Sequence, residues 1–280
     1  MIEHPQDLIP EVDALGYVVD DELATVLYLM LRLQKPVLLE GHPGVGKTEV
    51  AHIIAAYLKT DLIRLQCYEG LDVHHAIYEW NYQKQLLAIK LQEQSSLSVK
   101  EKEDLIFSRE YLLERPLLKA ITANKQVVLL IDEIDRADEE FEAFLLELLS
   151  AFQISIPELG TVEALHKPVV ILTSNRTRDL SDALKRRCLY HWVPYPSIEK
   201  EVRIVKKHLP QIQEELVLRI ARYVQKMRTL NLDKVPGVAE TIDWSAGILA
   251  LGEENFEHTL SCIIKSDRDA MIVKQELFSP

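Results

Sequence analysis

Residues 41–48 read Gly-His-Pro-Gly-Val-Gly-Lys-Thr, and the apolar run Pro36-Val37-Leu38-Leu39 lies just before them. The pattern G-x-x-x-x-G-K-[ST] between a short strand and a helix is typical of a phosphate-binding loop. The glycines of such a loop let the backbone curl, so that several N–H groups point at phosphate oxygens. A chance glycine-rich turn is the alternative, and the strand–loop–helix context disfavours it. The stretch therefore predicts that the chain binds a nucleoside triphosphate.

The loop residues have separate predicted tasks. Lys47 brings a flexible positive charge to the β- and γ-phosphates, and the Thr48 hydroxyl is a ligand for Mg²⁺. A helix from about Lys47 to Lys59 directs its positive end at the same anion. His42 occupies a variable loop position and carries no inference of its own. The predicted nucleotide contacts at the phosphates are Gly41, His42, Pro43, Gly44, Val45, Gly46, Lys47, Thr48 and Glu49.

Composition narrows the class of protein. The chain has 280 residues, 48% of them hydrophobic, which is enough for one large α/β domain and a small helical one. Its net charge of −12 argues against a domain whose main task is to bind nucleic acid. Its three cysteines form no C-x-x-C pair, which fits a reducing cytoplasm. The apolar stretch from Leu23 to Leu33 is too short to span a membrane, and the N-terminus lacks a basic signal-peptide start.

Strands alternate with helices in the first part of the chain. Besides the strand before the loop, we predict strands at residues 62–66, 127–131, 169–173 and 190–193. This alternation implies a mainly parallel five-stranded sheet that is covered on both sides. Pro194 and Pro196 end the pattern, and the remainder reads as helical, with breaks at Pro210 and at Pro236-Gly237. The sequence thus predicts an α/β nucleotide-binding core over 1–195 and a small all-helical domain over 196–280.

The region between the second and third strands is harder to interpret. Residues 69–91 read as mostly helical, with Tyr78, Trp80 and Tyr82 embedded as packing residues rather than as a substrate-gripping loop. Residues 92–104 are polar and charged, and we expect an exposed connection. His74-His75 with Cys67 could suggest a metal site. Adjacent histidines on a helix point about 100° apart, however, and seldom share one ion.

Two acidic residues, Asp132 and Glu133, follow the buried strand over 127–131. Such a strand next to a phosphate loop brings two carboxylates to the γ-phosphate. Asp132 would then complete the Mg²⁺ shell, and Glu133 would act as the base that polarises the attacking water. An acidic turn after any buried strand is the alternative, which the upstream loop disfavours.

Two further segments carry candidate catalytic residues. Thr173-Ser174-Asn175 ends the next strand, and Asn175 can hydrogen-bond the γ-phosphate or the water; capping of the following turn is the alternative. Arg186 and Arg187 lie just before the last strand. An arginine there, Arg187 ahead of Arg186, could neutralise charge at a neighbouring subunit's γ-phosphate. A solvated basic helix end would look the same.

The order and spacing of these motifs resemble those of AAA+ ATPases over nearly the whole chain. The loop at 41–48, Ile131-Asp132-Glu133-Ile134-Asp135-Arg136-Ala137 and Thr173-Ser174-Asn175 are similar to the MoxR branch. Residues 65–72, 78–82 and 235–244 resemble the carbon monoxide dehydrogenase accessory ATPase group. The resemblance implies a hexameric ring with ATP at the interfaces between subunits. It also implies chaperone-like maturation of a metalloenzyme client beside a von Willebrand factor A domain partner.

The resemblance also implies roles for other residues. Gly16, Tyr17 and Val18 lie where such proteins place residues near the adenine, and residues 153–167 would form the hairpin before the sensor strand. Lids of this family commonly supply an arginine to the nucleotide, but this chain has no arginine between Thr229 and Asp267. Either that contact is missing, or Lys234 or another subunit replaces it.

The expected function is a Mg²⁺-dependent cytoplasmic ATPase acting on a protein client. Two rivals stay open: a nucleic-acid-directed motor on the same fold, which the acidic balance disfavours, and a nucleotide-dependent assembly scaffold with little turnover, which the absent lid arginine keeps in view.

Overall fold

The computed structural model describes residues 3–72, 76–91, 98–157, 159–252 and 255–278. Its strands are β1 (Val37–Gly41), β2 (Leu62–Gln66), β3 (Tyr78–Trp80), β4 (Leu112–Glu114), β5 (Val128–Asp132), β6 (Gln153–Ile156), β7 (Gly160–Glu163), β8 (Val169–Ser174) and β9 (Leu189–Val193). Its α-helices are α1 (Pro5–Ala14), α2 (Asp21–Leu33), α3 (Lys47–Leu58), α4 (Tyr82–Leu91), α5 (Val99–Ile106), α6 (Pro116–Ile121), α7 (Glu139–Ala151), α8 (Asp182–Arg187), α9 (Ile198–His208), α10 (Glu214–Thr229), α11 (Val238–Leu251) and α12 (Asp267–Val273).

Five strands form the main sheet in the order β2-β5-β8-β1-β9. β5 pairs in parallel with β2 on one side and with β8 on the other. Every residue of β5 and of β8 is buried, as expected when helices cover both faces of a parallel sheet. The mainly parallel five-stranded sheet predicted from the sequence is confirmed.

The chain divides into two compact units. We call residues 1–25, 40–53 and 192–280 the loop unit, because it holds the phosphate loop, and residues 26–39 and 54–191 the sheet unit. The apolar core of the sheet unit centres on β5, β8 and the inner face of α7. The helical part of the loop unit has its own core, in which Trp244 is fully buried and donates its indole N–H to Thr259 Oγ1 at 2.9 Å. The division at residue 195 stays a prediction.

One expectation for the middle of the chain was wrong, and one segment contains a helix that the pattern did not predict. Tyr78–Trp80 is a strand, not helix, and pairs antiparallel with β4, Trp80 opposite Leu112. Tyr78 and Trp80 alternate with the more exposed Glu79 and are buried, so they pack as predicted, whereas Tyr82 is 65% exposed. The polar connection contains helix α5 over Val99–Ile106. A pairing with a strand more than thirty residues away leaves no local periodicity, which is why the sequence pattern missed it. His74 and His75 lie outside the described residues.

The other expected elements are confirmed. β6 and β7 form the antiparallel hairpin, with Gln153 opposite Glu163. After β9 the described chain is helical, and Pro210 and Pro236-Gly237 fall between helices, where a missing N–H and restricted φ end a helix without cost.

Candidate nucleotide-binding and hydrolysis site

The phosphate loop, residues 41–48, follows β1, leads into α3 and belongs to the loop unit. Gly44 and Gly46 have φ of +73° and +92°, the left-handed conformations that favour glycine. The Lys47 ammonium is buried and donates to the carbonyl oxygens of Gly41 and His42, each at 2.7 Å. The loop therefore holds the Lys47 ammonium next to its own backbone, so that a phosphate group bound there would contact both the ammonium and the backbone.

The residues predicted near the adenine also lie in the loop unit. The Tyr17 hydroxyl is 3.5 Å from the carbonyl oxygen of Gly46. Burial, with the nearby carboxylates of Asp20 and Glu49, raises the pKa of this phenol well above its usual range, so it stays protonated. Val18 lines a cavity of about 340 Å³ together with Val19, Asp20, residues 194–197, Glu199, Lys200 and Arg203. This volume is in the range of small-molecule sites.

The start of α11 lies directly on the phosphate loop. The Val238 N–H donates to the carbonyl oxygen of Gly44 at 2.8 Å. A Cβ on Gly237 would lie 2.8 Å from the Gly44 Cα, closer than real side chains approach, so this contact requires glycine. The Glu240 carboxylate accepts the Gly237 N–H at 3.1 Å. The segment where a lid arginine was expected thus contacts the loop through main-chain atoms.

His42 connects the phosphate loop to the helices by ring contacts. Its imidazole stacks on Tyr195, with ring centroids 4.8 Å apart and planes 8° from parallel. The Arg228 guanidinium lies 4.6 Å from the same Tyr195 ring and forms a two-pronged ion pair with the buried Glu201, at 2.7 and 2.8 Å. Glu201 also accepts the Thr241 hydroxyl at 2.8 Å. A continuous series of contacts therefore runs from the loop to α10 and α11.

The acidic pair at the end of β5 is fixed by one hydroxyl. Thr173 Oγ1 donates to Asp132 Oδ1 at 2.5 Å and accepts the Glu133 N–H at 2.9 Å. Glu133 has a left-handed backbone, φ 55°, a conformation that is unusual outside glycine and that persists only when neighbours determine it. Asp132 is 2% exposed, and its other oxygen is 2.5 Å from Arg64 Nη2.

The Glu133 carboxylate has two partners of different kinds. Asn175 Nδ2 donates to Oε1 at 3.3 Å, and Arg136 Nε lies 2.8 Å from Oε2. Asn175 is the residue predicted to orient the attacking water, and the structure places its amide beside the predicted base. A group that contacts a base and has a second donor can orient a water between them.

Asp135 fastens the turn that carries Asn175. Its carboxylate accepts the N–H groups of Asn175 at 3.1 Å and of Thr177 at 2.9 Å. Burial raises the pKa of this carboxyl, but the hydrogen bonds from Thr177 and Asn175 outweigh burial, so the pKa lies below its usual value. Asp135 therefore stays ionised and joins the segment that follows β5 to the segment that follows β8.

Arg186 and Arg187 lie exposed in the last turn of α8, within the sheet unit. Arg187 donates from Nε to Ser150 Oγ at 2.6 Å and from Nη1 to the Ala183 carbonyl at 2.9 Å. Among the described residues, neither guanidinium has a contact with Asp132 or Glu133.

The donor set suits Mg²⁺ and a triphosphate. Asp132 and Thr48 offer a carboxylate and a hydroxyl, the hard oxygen ligands that Mg²⁺ prefers. The curled glycine backbone and Lys47 offer N–H groups and a positive charge to phosphate oxygens. The residues present therefore fit both groups by their chemistry.

The structure brings the predicted residues together in two sets. Asp132, Glu133 and Asn175 form one set in the sheet unit, and the phosphate loop with Tyr17 and Val18 forms the other in the loop unit. Sequence reasoning missed Arg64, Asp135, Arg136, Tyr195 and Arg228 as partners of these sets. Only Arg64 left a signal, as a charged residue in an alternating strand whose other face is apolar.

The family of the chain follows from its match over this region. The model of the AAA domain of the dynein-related subfamily matches residues 36–188, more than half of the chain. The protein therefore belongs to this AAA family, a subfamily that includes MoxR-type ATPases, and such membership supports nucleotide-dependent activity.

Two curated relatives extend beyond the matched region. An uncharacterized protein of Staphylococcus haemolyticus is 24% identical over 262 residues, which cover 89% of this chain and 91% of that protein. An uncharacterized protein of Staphylococcus epidermidis is 25% identical over 210 residues, covering 72% of each.

Solved structures agree on the fold. One RuvB point mutant of Thermotoga maritima has a TM-score of 0.51 at 19% identity and covers 91% of this chain and 72% of that one. A second has a TM-score of 0.50 at 16% identity and covers 98% and 77%. At these identities the likeness shows the AAA+ fold alone. Among the described residues, no helix has the length and apolar character needed to cross a membrane.

Proposed function

We propose that the protein is a Mg²⁺-dependent ATPase that converts hydrolysis into conformational work on a protein client. The observation that carries the proposal is the hydrogen-bonded group of Asp132, Glu133, Thr173 and Asn175 at the ends of two adjacent parallel strands. A buried carboxylate beside a second carboxylate and an amide can hold a metal ion, activate a water and orient that water for hydrolysis of a phosphoanhydride.

The proposed roles follow from the chemistry of each group. Lys47 holds the phosphates, and Thr48 and Asp132 hold the metal, which when bound neutralises charge on the phosphate oxygens. Glu133 takes the proton of the attacking water, and Asn175 orients that water. The two carboxylate oxygens of Glu133 contact different residues, Arg136 at Oε2 and Asn175 at Oε1. If Arg136 moves away, Oε2 can accept a proton from water while Asn175 holds Oε1 in place.

The nucleotide base belongs, in this proposal, in the cavity lined by Val18 and residues 194–197, with Tyr17 at its phosphate end. The apolar Val18 and Val19 suit a planar base, and the Lys200–Asp20 ion pair at 2.6 Å forms part of the lining of the cavity. The core over 1–195 and the lid over 196–280 remain our proposed domains.

Assembly and client are proposed from the resemblance to the MoxR branch and to the carbon monoxide dehydrogenase accessory group. The proposed assembly is a hexameric ring, in which Arg187, or else Arg186, acts at a neighbouring subunit's ATP. The proposed client is a metalloenzyme, with a von Willebrand factor A domain partner and a cytoplasmic location. The exposure of both arginines supports a role in trans.

One alternative is favoured by a specific observation. The lid lacks an arginine between Thr229 and Asp267 and meets the phosphate loop through backbone atoms and the His42–Tyr195–Arg228 contacts instead. Such a lid could respond to nucleotide binding without coupling to turnover, as in an assembly scaffold. A nucleic-acid-directed motor is disfavoured by the net charge of −12.

The test uses Glu133→Gln, which removes the base and keeps the size of the side chain. We expect ATP binding close to that of the unchanged protein and turnover lower by about 100-fold or more. Glu139→Gln, in the exposed first turn of α7, is the matched control and should leave both unchanged. Turnover that survives Glu133→Gln would refute the assigned role.

The client and the alternatives are tested with the same variant. Proteins that co-purify with Glu133→Gln only in the presence of ATP identify the client. Turnover by the unchanged protein that stays negligible with that client added would favour the scaffold. Stimulation by DNA with a steep salt dependence would favour the nucleic-acid motor.

A further inference from the structure

A half-exposed arginine lies against the carboxylate that we assign to the metal. Arg64 Nη2 is 2.5 Å from Asp132 Oδ2, and the two side chains are 50% and 3% exposed. The other Asp132 oxygen accepts Thr173 Oγ1 at 2.5 Å. Both oxygens of a buried carboxylate therefore have protein partners, one of which carries a full positive charge.

The geometry of β2 explains how Arg64 reaches this position. Ile63 and Leu65 are buried in the core of the sheet unit, so Arg64 and Gln66 lie together on the opposite, more exposed face. In the parallel register Gln66 lies opposite Asp132. Gln66 Oε1 accepts a second bond from the same Arg64 nitrogen, which directs the guanidinium along β2 toward the end of β5.

A cation at Asp132 competes with this arginine. A buried carboxylate needs a compensating charge or hydrogen bond, and Arg64 supplies both. A divalent ion supplies more charge at the same oxygen, but a guanidinium in hydrogen-bond contact with that oxygen repels it. Because the Arg64 side chain is half exposed, it can leave Oδ2 without being buried elsewhere.

We propose that Arg64 is the counterion of Asp132 in the metal-free protein and is displaced from Oδ2 when Mg²⁺ binds with ATP. Arg64 is a positioning residue: it sets how much Mg²⁺ strengthens ATP binding and keeps Asp132 from remaining an unpaired charge between cycles. The inference rests on the proposed function for the assignment of Asp132 to the metal.

The test measures the Kd of a fluorescent ATP analogue twice, in excess Mg²⁺ and in excess EDTA. For Arg64→Gln we expect the Kd in Mg²⁺ to fall about three- to ten-fold, because one repulsive charge beside a divalent ion is removed. We expect the Kd in EDTA not to fall, because Asp132 then lacks its counterion. Arg64→Lys, which keeps the charge, should lie between. Arg268→Gln is the control, since it removes an equally charged partner from a surface ion pair with Asp233.

Each other outcome overturns the inference in a distinct way. A rise of both Kd values in folded Arg64→Gln would indicate a structural role, and a rise in EDTA alone would indicate a direct phosphate contact. Equal values for Arg64→Gln and the unchanged protein would exclude the competition. EPR of bound Mn²⁺ with the same nucleotide measures the metal affinity directly, and Arg64→Gln must bind Mn²⁺ more tightly by a similar factor.

Asp132→Asn separates this inference from the proposed function. If Asp132→Asn removes the advantage of Mg²⁺ over EDTA while Arg64→Gln changes nothing, only the counterion role of Arg64 fails. If Asp132→Asn keeps that advantage, the metal assignment fails, and the inference falls with it.

Discussion

Replacing Thr173 by Val is expected to remove the hydroxyl that supports both the Asp132 carboxylate and the backbone of Glu133. Valine has nearly the shape of threonine but lacks the hydroxyl that bonds Asp132 Oδ1 at 2.5 Å and the Glu133 N–H at 2.9 Å. Thr173 is 1% exposed, so water cannot replace the lost bonds. Glu133 would then keep its left-handed backbone with one fewer constraint.

The magnitude follows from the two bonds. A hydrogen bond to a charged group contributes about 1.5–3 kcal/mol and a neutral one about 1 kcal/mol, so the free energy of unfolding should fall by about 2.5–4 kcal/mol. For a chain of this size that corresponds to a fall in Tm of about 5–16 °C. Loss of a group that orients metal-binding or catalytic side chains typically lowers activity by about 10–100-fold, and we expect turnover to fall by that factor.

Thermal unfolding and ATP turnover are measured together on Thr173→Val and on Thr173→Ser. Serine keeps the hydroxyl and loses a buried methyl, which costs about 1 kcal/mol. Both variants are therefore less stable, but only valine should lose turnover. Equal turnover of the two variants would refute the role of the hydroxyl.

Three further predictions concern other parts of the molecule. Gly237→Ala places a Cβ 2.8 Å from the Gly44 Cα. We therefore expect weaker ATP binding and a free energy of unfolding that is lower by about 1–3 kcal/mol in a thermal melt. The control is Ala239→Ser at an exposed neighbouring position, and equal ATP affinity of the two variants would contradict the contact. The lowered pKa of Asp135 contributes stability that is present above about pH 4 and is lost as the pH falls through the lowered value. Asp135→Asn should therefore be less stable than the unchanged protein at neutral pH, and its stability in urea titrations should fall less in acid. The same loss of stability in acid for both proteins would contradict this. Burial raises the pKa of Cys67 and of Cys188 to about 12, so iodoacetamide at about pH 8 should modify both only after unfolding, and rapid labelling of the native protein in mass spectra would show that they are accessible.

The sequence predicts the sheet because its central strands are continuous apolar runs. Burial on both faces makes most of each strand apolar, as in Val128–Ile131 and Val169–Leu172, so β5 and β8 can be located to within a residue or two. The turn chemistry of the phosphate loop is equally local, since glycines, a lysine and a threonine must stand at set spacing. Such features need no knowledge of distant parts of the chain.

Features that depend on distant partners could not be predicted. β3 pairs with β4, and its three residues looked helical in isolation. His42 carried no inference from the sequence, yet it stacks on Tyr195 about 150 residues later. Arg64 shows in the sequence only as a charge on the more exposed face of β2, and the register of β2 with β5 places it on Asp132. These contacts arise from strand order, which a single sequence does not encode locally.

The bond from the Val238 N–H to the Gly44 carbonyl has a consequence for how the helical segment can sense the nucleotide. When the glycine backbone rearranges around phosphate, its carbonyl groups rotate with its amides, because each peptide is a rigid plane. A helix whose first turn donates a hydrogen bond to one of those carbonyls must follow that rotation. Since peptide groups are common to all residues, a sensor of this kind tolerates almost any side chain and is vulnerable mainly where glycine is replaced.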